Sequence, residues 1–288
     1  MIHTHYKSVR RKRSALTLAA LAAVCVGCLH VYRATVHRPS RYPMMPLVEQ
    51  ERDLETDFDV LARTPNLARA TLGGEKMYWG ARDHKTIALT FDDGPHPKMV
   101  GRILAILGRN HVRATFFVVG QSALAHPDLV RAEVAAGHQV SNHTFHHARM
   151  NMVLPSLAEP EIAACDAAIS RITHRRADAY FRPPGGEVNP NLMDVCRRLG
   201  KTVVMYSDDP QDFKNLGEDV LLQRLLANAK PGGIILLHDN VKQTIHILPT
   251  LIASLKARGY TFVTISQLDA ARKPSTAPVR TAFVERAS

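Results

Sequence analysis

The sequence predicts an α/β fold: an incomplete (β/α) barrel of about seven parallel strands, preceded by a single N-terminal transmembrane helix. Three observations carry that expectation. From Lys85 onward, short apolar runs alternate with helix-length amphipathic segments, the pattern of a parallel sheet with covering helices. Turn signals separate them, among them Asp93-Gly94-Pro95, Pro183-Pro184-Gly185-Gly186 and Pro231-Gly232-Gly233. Ahead of this body, 19 residues from Ser14 to Tyr32 carry no formal charge.

At about 1.5 Å per residue that uncharged run reaches roughly 28 Å as a helix, close to the ~30 Å hydrocarbon thickness of a bilayer. Arg10, Arg11, Lys12 and Arg13 stand immediately before it. They predict a short basic tip, 1–13, held in the cytoplasm, an anchor over 14–32, and everything after it outside. A cleaved signal peptide and a lipidated Cys28 are the alternatives. The apolar run exceeds the ~7–15 residues usual in signal peptides, and Cys25-Val26-Gly27 is a poor cleavage site. Residues 33–84, dotted with Pro39, Pro43 and Pro46 and then charged, read as a stalk. Strands are expected at 86–91, 114–119, 138–142, 180–182, 202–206, 234–237 and 260–264. Helices are expected at 98–109, 127–136, 156–173, 190–199, 218–229 and 244–258. The resulting domain, 85–270, is slightly short of the eight-stranded, ~250-residue barrel standard; an open doubly wound sheet is the other arrangement this pattern allows. A basic tail, 271–288, closes the chain. Cys165 and Cys196 fall on expected helices as small core fillers, and four cysteines in 288 residues make no disulfide scaffold.

The net charge of +11 invites a nucleic-acid reading until it is located. Residues 1–42 hold 8 Lys and Arg with no Asp or Glu, and 271–288 hold 4 against 1, whereas 43–270 carry 25 basic and 25 acidic side chains. A neutral body offers no phosphate-tracking face, so nucleic acid is not an expected partner.

Residues at the C-terminal ends of barrel strands share one cleft. The first long strand runs into Asp92-Asp93-Gly94-Pro95. Alone this is a plain Asp-Gly turn, yet two adjacent carboxylates repel unless a cation or proton relieves them. Strand 138–142 leads into His143-Thr144-Phe145-His146-His147. If that stretch is one helical turn, His143 and His147 share a face and can grip one metal, while His146 points away. Two histidines with one carboxylate fit a catalytic zinc or a similar divalent ion. Arg182 ends another strand, Asp209 and Asp212 follow the next, and His238-Asp239 ends the sixth.

Thr90-Phe91-Asp92-Asp93-Gly94, His143-Thr144-x-x-His147, Arg182-Pro183-Pro184, Asp209-x-x-Asp212 and Leu236-x-His238 resemble, in order, the five motifs of the polysaccharide deacetylases, the NodB-homology carbohydrate esterases. The resemblance covers about residues 85–270, two thirds of the chain. It implies an incomplete (β/α) barrel that removes acetyl groups from N-acetylated sugars of a glycan polymer, less often from O-acetylated ones. It also implies one divalent ion, zinc first, with cobalt, nickel or manganese as alternatives. Carried over by residue, Asp93, His143 and His147 would hold the metal and Asp92 would be the general base, held by Arg182. His238 would be the general acid, oriented by Asp212, and the Gly185 amide would donate to the oxyanion. Two departures bear on the substrate groove. The family often has Tyr where Gly185 stands and Trp where Phe213 stands. A glycan-binding module without turnover is a rival reading, and binding alone needs no separate base and acid. A basic membrane protein binding anionic lipid or nucleic acid is another, and the neutral body argues against it.

Overall fold

The structure is a computed structural model and describes residues 75–272. The expected cytoplasmic tip and anchor, most of the stalk and all but the start of the tail lie outside those residues. Among the described residues no helix is long and apolar enough to cross a membrane. In chain order the elements are β1 (Lys76–Met77), β2 (Thr86–Gly94), α1 (Val100–Arg109), β3 (Thr115–Val118), α2 (Gly120–Ala125), α3 (Pro127–Ala135), β4 (Gln139–Asn142) and α4 (Pro155–Thr173). They continue as β5 (Tyr180–Phe181), α5 (Pro190–Arg198), β6 (Thr202–Val204), α6 (Glu218–Asn228), β7 (Gly233–His238), α7 (Lys242–Ala257), β8 (Thr261–Phe262) and α8 (Ile265–Arg272).

All pairings are parallel, in the order β1-β6-β5-β4-β3-β2-β7, with the short β8 also on β2. Just past β6, Asp208 bridges to Ile235 of β7, and the Leu236 N–H donates to the Asp208 carbonyl at 3.0 Å. The two ends of the strand order therefore approach each other, as in an incomplete parallel barrel. The open doubly wound sheet is not what forms.

Strand periodicity sorts the side chains into an outer layer and an inner one. On β2, Ile87, Leu89 and Phe91 join the large cluster packed under the helices, with Ile103, Leu107, Leu248 and Leu251. The intervening Ala88 joins Met77, Phe117, Val204 and Ile234 in a separate cluster that takes in Ile265 and Leu268 from α8. Asp92 is on the same strand face as Ala88 and Thr90, so the alternation that builds the core also delivers this carboxylate to the interior at the strand's C-terminal end.

Three local expectations need correction. The stretch read as stalk runs into the sheet: Lys76 and Met77 pair with Val203 and Val204, and Met77 is buried. A two-residue strand has no periodicity to betray it. The six-residue helix α2 is likewise too short to show a period, and α8 reaches into the residues assigned to the tail. Thirdly, 143–147 is not a helical turn.

Candidate active site and metal centre

Arg182 is the centre around which the site is built. Its side chain is 1% exposed, and Nη1 donates to Thr90 Oγ1 and to Asp92 Oδ1, both at 2.7 Å. Nε and Nη2 donate to the carbonyls of Val204 and Met205 at 3.2 and 3.1 Å, and the guanidinium lies 4.1 Å from the Phe117 ring centroid. A buried charge needs this density of partners. The result is a fixed cation against one oxygen of Asp92, whose other oxygen lies 3.8 Å from His143 Nε2.

Asp93 should point outward by strand alternation. Its φ of +70° re-aims it instead. Oδ1 lies 3.0 Å from His147 Nε2 and 3.4 Å from His143 Nε2. The two imidazoles converge without helical spacing, because Thr144 and His147 adopt left-handed φ of +67° and +59° and curl the loop. Their ring centroids are 5.2 Å apart. His146 points away as expected, though not alone, since its Nδ1 meets Glu161 at 2.7 Å.

Burial raises the pKa of Asp93, yet the hydrogen bonds from His143 and His147 prevail and hold it far below the ordinary carboxylate range. The same contact, with Asp93 as partner, raises the His147 pKa against its partial burial. One potential donor atom each from Asp93, His143 and His147 lies within 4.8 Å of the others, compatible with bonds of about 2.0–2.2 Å to a shared divalent ion. The hydrogen bonding of His143 fits too. Its Nδ1 lies 2.8 Å from the Arg182 carbonyl, which can only accept, so Nδ1 carries a proton and Nε2 is the nitrogen that would be left to ligate a metal.

On the other side, His238 ends β7 on the inner face. Its Nδ1 is 2.6 Å from Asp212 Oδ1, and its backbone N–H donates to Asp212 Oδ2 at 2.9 Å. Asp212 is itself pinned. Thr244 Oγ1 donates to Oδ2 at 2.6 Å, and the Gln243 side-chain amide donates to its backbone carbonyl. Burial alone would lower the His238 pKa. The Asp212 contact, with Asp92 and Asp93 beyond it, prevails and pushes it up to about 9. Folding stability from this imidazolium is therefore full below about pH 6.5 and is lost as pH rises through about 9.

Asp92, Asp93, His143, His147, Arg182, Gly185 and His238 line one pocket of about 250 Å³, and Asp212 stands behind His238. Of the eight residues given roles from the sequence, Asp212 alone does not line it. Phe213, 55% exposed, stands edge-on to His238 with ring centroids 5.5 Å apart. Three contributors were not foreseen. Thr90 was legible as the residue two before Asp92 on the same face. Thr244 and Tyr206 carried no motif, and Tyr206 lines the pocket so close to Gly186 that a Cβ there would lie 2.6 Å from its hydroxyl.

The fold and pocket define a partial parallel α/β barrel with an Asp-His-His donor set at its strand ends, flanked by an Arg–Asp pair and an Asp–His pair. The family model for polysaccharide deacetylase matches residues 80–204. The chain is 36% identical over 192 residues to a peptidoglycan-N-acetylglucosamine deacetylase of Listeria monocytogenes, covering 65% of this chain and 40% of that one. It is 36% identical to a chitooligosaccharide deacetylase of Rhizobium leguminosarum bv. trifolii over 64% of this chain and 92% of the relative. A CE4 family pseudoenzyme from Bacillus anthracis superposes with a TM-score of 0.64 at 28% identity, covering 68% of this chain and 69% of that one. The chain belongs to the polysaccharide deacetylase family. It spans well under half the length of the Listeria relative.

Proposed function

We propose that this protein is a metal-dependent hydrolase that removes acetyl groups from N-acetylated amino sugars of a polysaccharide. The observation that carries the reading is the separation of tasks in one pocket. Asp93, at 3.0 and 3.4 Å from two imidazole nitrogens, is placed for a cation, while Asp92, 2.7 Å from Arg182, is placed beside it but engaged elsewhere. A divalent ion held by Asp93, His143 and His147, zinc first, would polarise the acetyl carbonyl and acidify a water molecule.

Asp92 is the general base. It takes a proton from the attacking water, and the hydrogen bond from Arg182 fixes its orientation for that task. Gly185, on the pocket wall, offers its backbone N–H to the oxygen that gains charge as water adds to the carbonyl. His238, protonated at neutral pH and held by Asp212, gives a proton to the nitrogen as the C–N bond breaks. Acetate and a free amine leave. Gly185 and Phe213 in place of larger aromatic residues leave the groove more open, which bears on the glycan chosen rather than on the chemistry.

The shared fold with a pseudoenzyme means that architecture alone does not argue for turnover. The support comes from the intact proton-transfer pairs, which a binding module has no use for. Purified protein supplied with zinc is expected to release acetate from N-acetylated peptidoglycan or chitin-type oligomers. Release from O-acetylated glycans only would convert the reading to an esterase, and release from none would overturn it.

The 19-residue uncharged run after Arg13 supports a single-pass anchor with the catalytic domain outside the cytoplasm. The full chain is expected to fractionate with membranes, and a chain begun near residue 40 to remain in solution. A mature N-terminus found near Cys28 would replace the anchor with a processed leader.

A further inference from the structure

We propose that the ion pair of the part-buried Asp166 with the buried Lys201 positions the loop that carries His143 and His147, and so sets how tightly the chain holds its metal. The proposal rests on the metal reading above and adds residues to it that touch neither ion nor substrate.

The loop is not held by regular secondary structure. It lacks helical hydrogen bonds, and two of its non-glycine residues sit at positive φ. Besides internal ties, it accepts the Gly120 and Gln121 N–H groups at the Thr144 and Phe145 carbonyls at 3.0 and 2.9 Å, and further ties run to α4. Glu161 accepts the Phe145 and His146 N–H groups at 3.1 and 2.9 Å. Asn142, one residue before His143 and 1% exposed, is the principal joint. Its Nδ2 donates to the Ile162 carbonyl and to Asp166 Oδ1, both at 2.7 Å, and its Oδ1 accepts the Thr144 N–H at 2.8 Å. Carbonyl and carboxylate oxygens only accept and a backbone N–H only donates, so the amide has one possible orientation. Thr144 Oγ1 then accepts the Ala148 N–H at 3.1 Å and closes the loop over both histidines.

Asp166 needs a countercharge, and Lys201 supplies it. The Lys201 side chain is 2% exposed, and Nζ donates to Asp166 Oδ1 at 2.6 Å and to the Asp178 carbonyl at 2.8 Å. As a stabilising device such a pair is weak, because well-packed apolar residues of similar volume do as well or better. Apolar residues could not hold the Asn142 amide. The pair therefore makes sense as the fixed end of a relay: Lys201 fixes Asp166, Asp166 fixes Asn142, and Asn142 fixes the turn between the two imidazoles. Groups that hold metal ligands in place typically contribute about 10–100-fold to affinity, and a relay one residue removed should act near the lower figure.

The test replaces both charges together, Asp166→Leu with Lys201→Met, so that neither member of the pair is left without the other. Asn142→Ala breaks the relay while keeping the pair, should the double variant fold poorly. Lys201→Arg is the conservative control, and Leu251→Ala in α7 is a core-cavity control. Zinc affinity is measured by competition titration, and amide hydrogen exchange over 143–148 is measured in the metal-free proteins. The double variant and Asn142→Ala are expected to weaken zinc binding about tenfold and to speed loop exchange, while Lys201→Arg preserves both. Leu251→Ala should lower the melting temperature and leave both readouts unchanged. Equal losses in Leu251→Ala would make the effect one of general stability and overturn the proposal. So would unchanged affinity and exchange in the relay variants. Failure of the unaltered protein to bind zinc at all would sink the metal reading and the affinity claim with it, whereas unchanged loop exchange beside normal zinc binding sinks the positioning alone.

Discussion

Alanine at His143 or at His147 is expected to strip the protein of bound metal and of activity together. Each removes one of three donors, so the loss of affinity should exceed the ~10–100-fold associated with groups that merely hold ligands in place. The two variants should differ in stability. His147 is 45% exposed and pairs with Asp93, so its loss should leave the fold nearly untouched. His143 is 2% exposed and bonded to the Arg182 carbonyl. Truncating it leaves a buried acceptor unpaired, at about 1–3 kcal/mol. Elemental analysis beside thermal melts separates the effects. Undiminished metal content in both variants would remove Asp93, His143 and His147 as the metal centre.

Those three residues also show what a sequence can and cannot disclose. Their identities were legible because each follows a strand, and barrel strand ends share a cleft. The manner of their meeting was not. The i, i+4 spacing of His143 and His147 suggested a helical turn, but spacing brings side chains together only if the backbone is helical. Here Thr144 and His147 achieve the same convergence with left-handed φ, a conformation that neither residue type announces. Asp92 reaches the pocket by strand alternation and Asp93 by a φ of +70°, and no sequence pattern announces the second. The relay behind the loop was invisible for a different reason. Asn142, Asp166 and Lys201 meet across β4, α4 and the start of β6, and no local pattern links residues 24 and 35 positions apart. The other seven strands fall in the expected apolar runs, whereas β1 did not declare itself, because Lys76 and Met77 are defined by the edge of β6 they fill.

Asparagine at position 92 is expected to leave metal occupancy nearly intact and to cost ~10²–10⁴ in rate, the usual contribution of a general base. The substitution keeps the oxygen that accepts from Arg182 but abolishes proton uptake. Asp93→Asn should behave in the opposite way, losing metal affinity first and regaining part of its activity when metal is in excess. The contrast follows from geometry, since Asp93 Oδ1 faces two imidazole nitrogens while Asp92 is anchored to a guanidinium. His238→Ala should resemble Asp92→Asn in retaining metal, with two further signatures. Its defect should be larger on amides than on activated esters, whose leaving groups need no proton. It should also abolish an alkaline fall in the rate, because an acid with a pKa pushed up to about 9 is lost only above that pH, not near 6.5. Metal titrations, rates on both substrate types and pH profiles of the three variants check these outcomes together. Rescue of Asp92→Asn but not Asp93→Asn by excess metal would exchange the two roles. An alkaline limb unchanged in His238→Ala would assign the departing proton to another group.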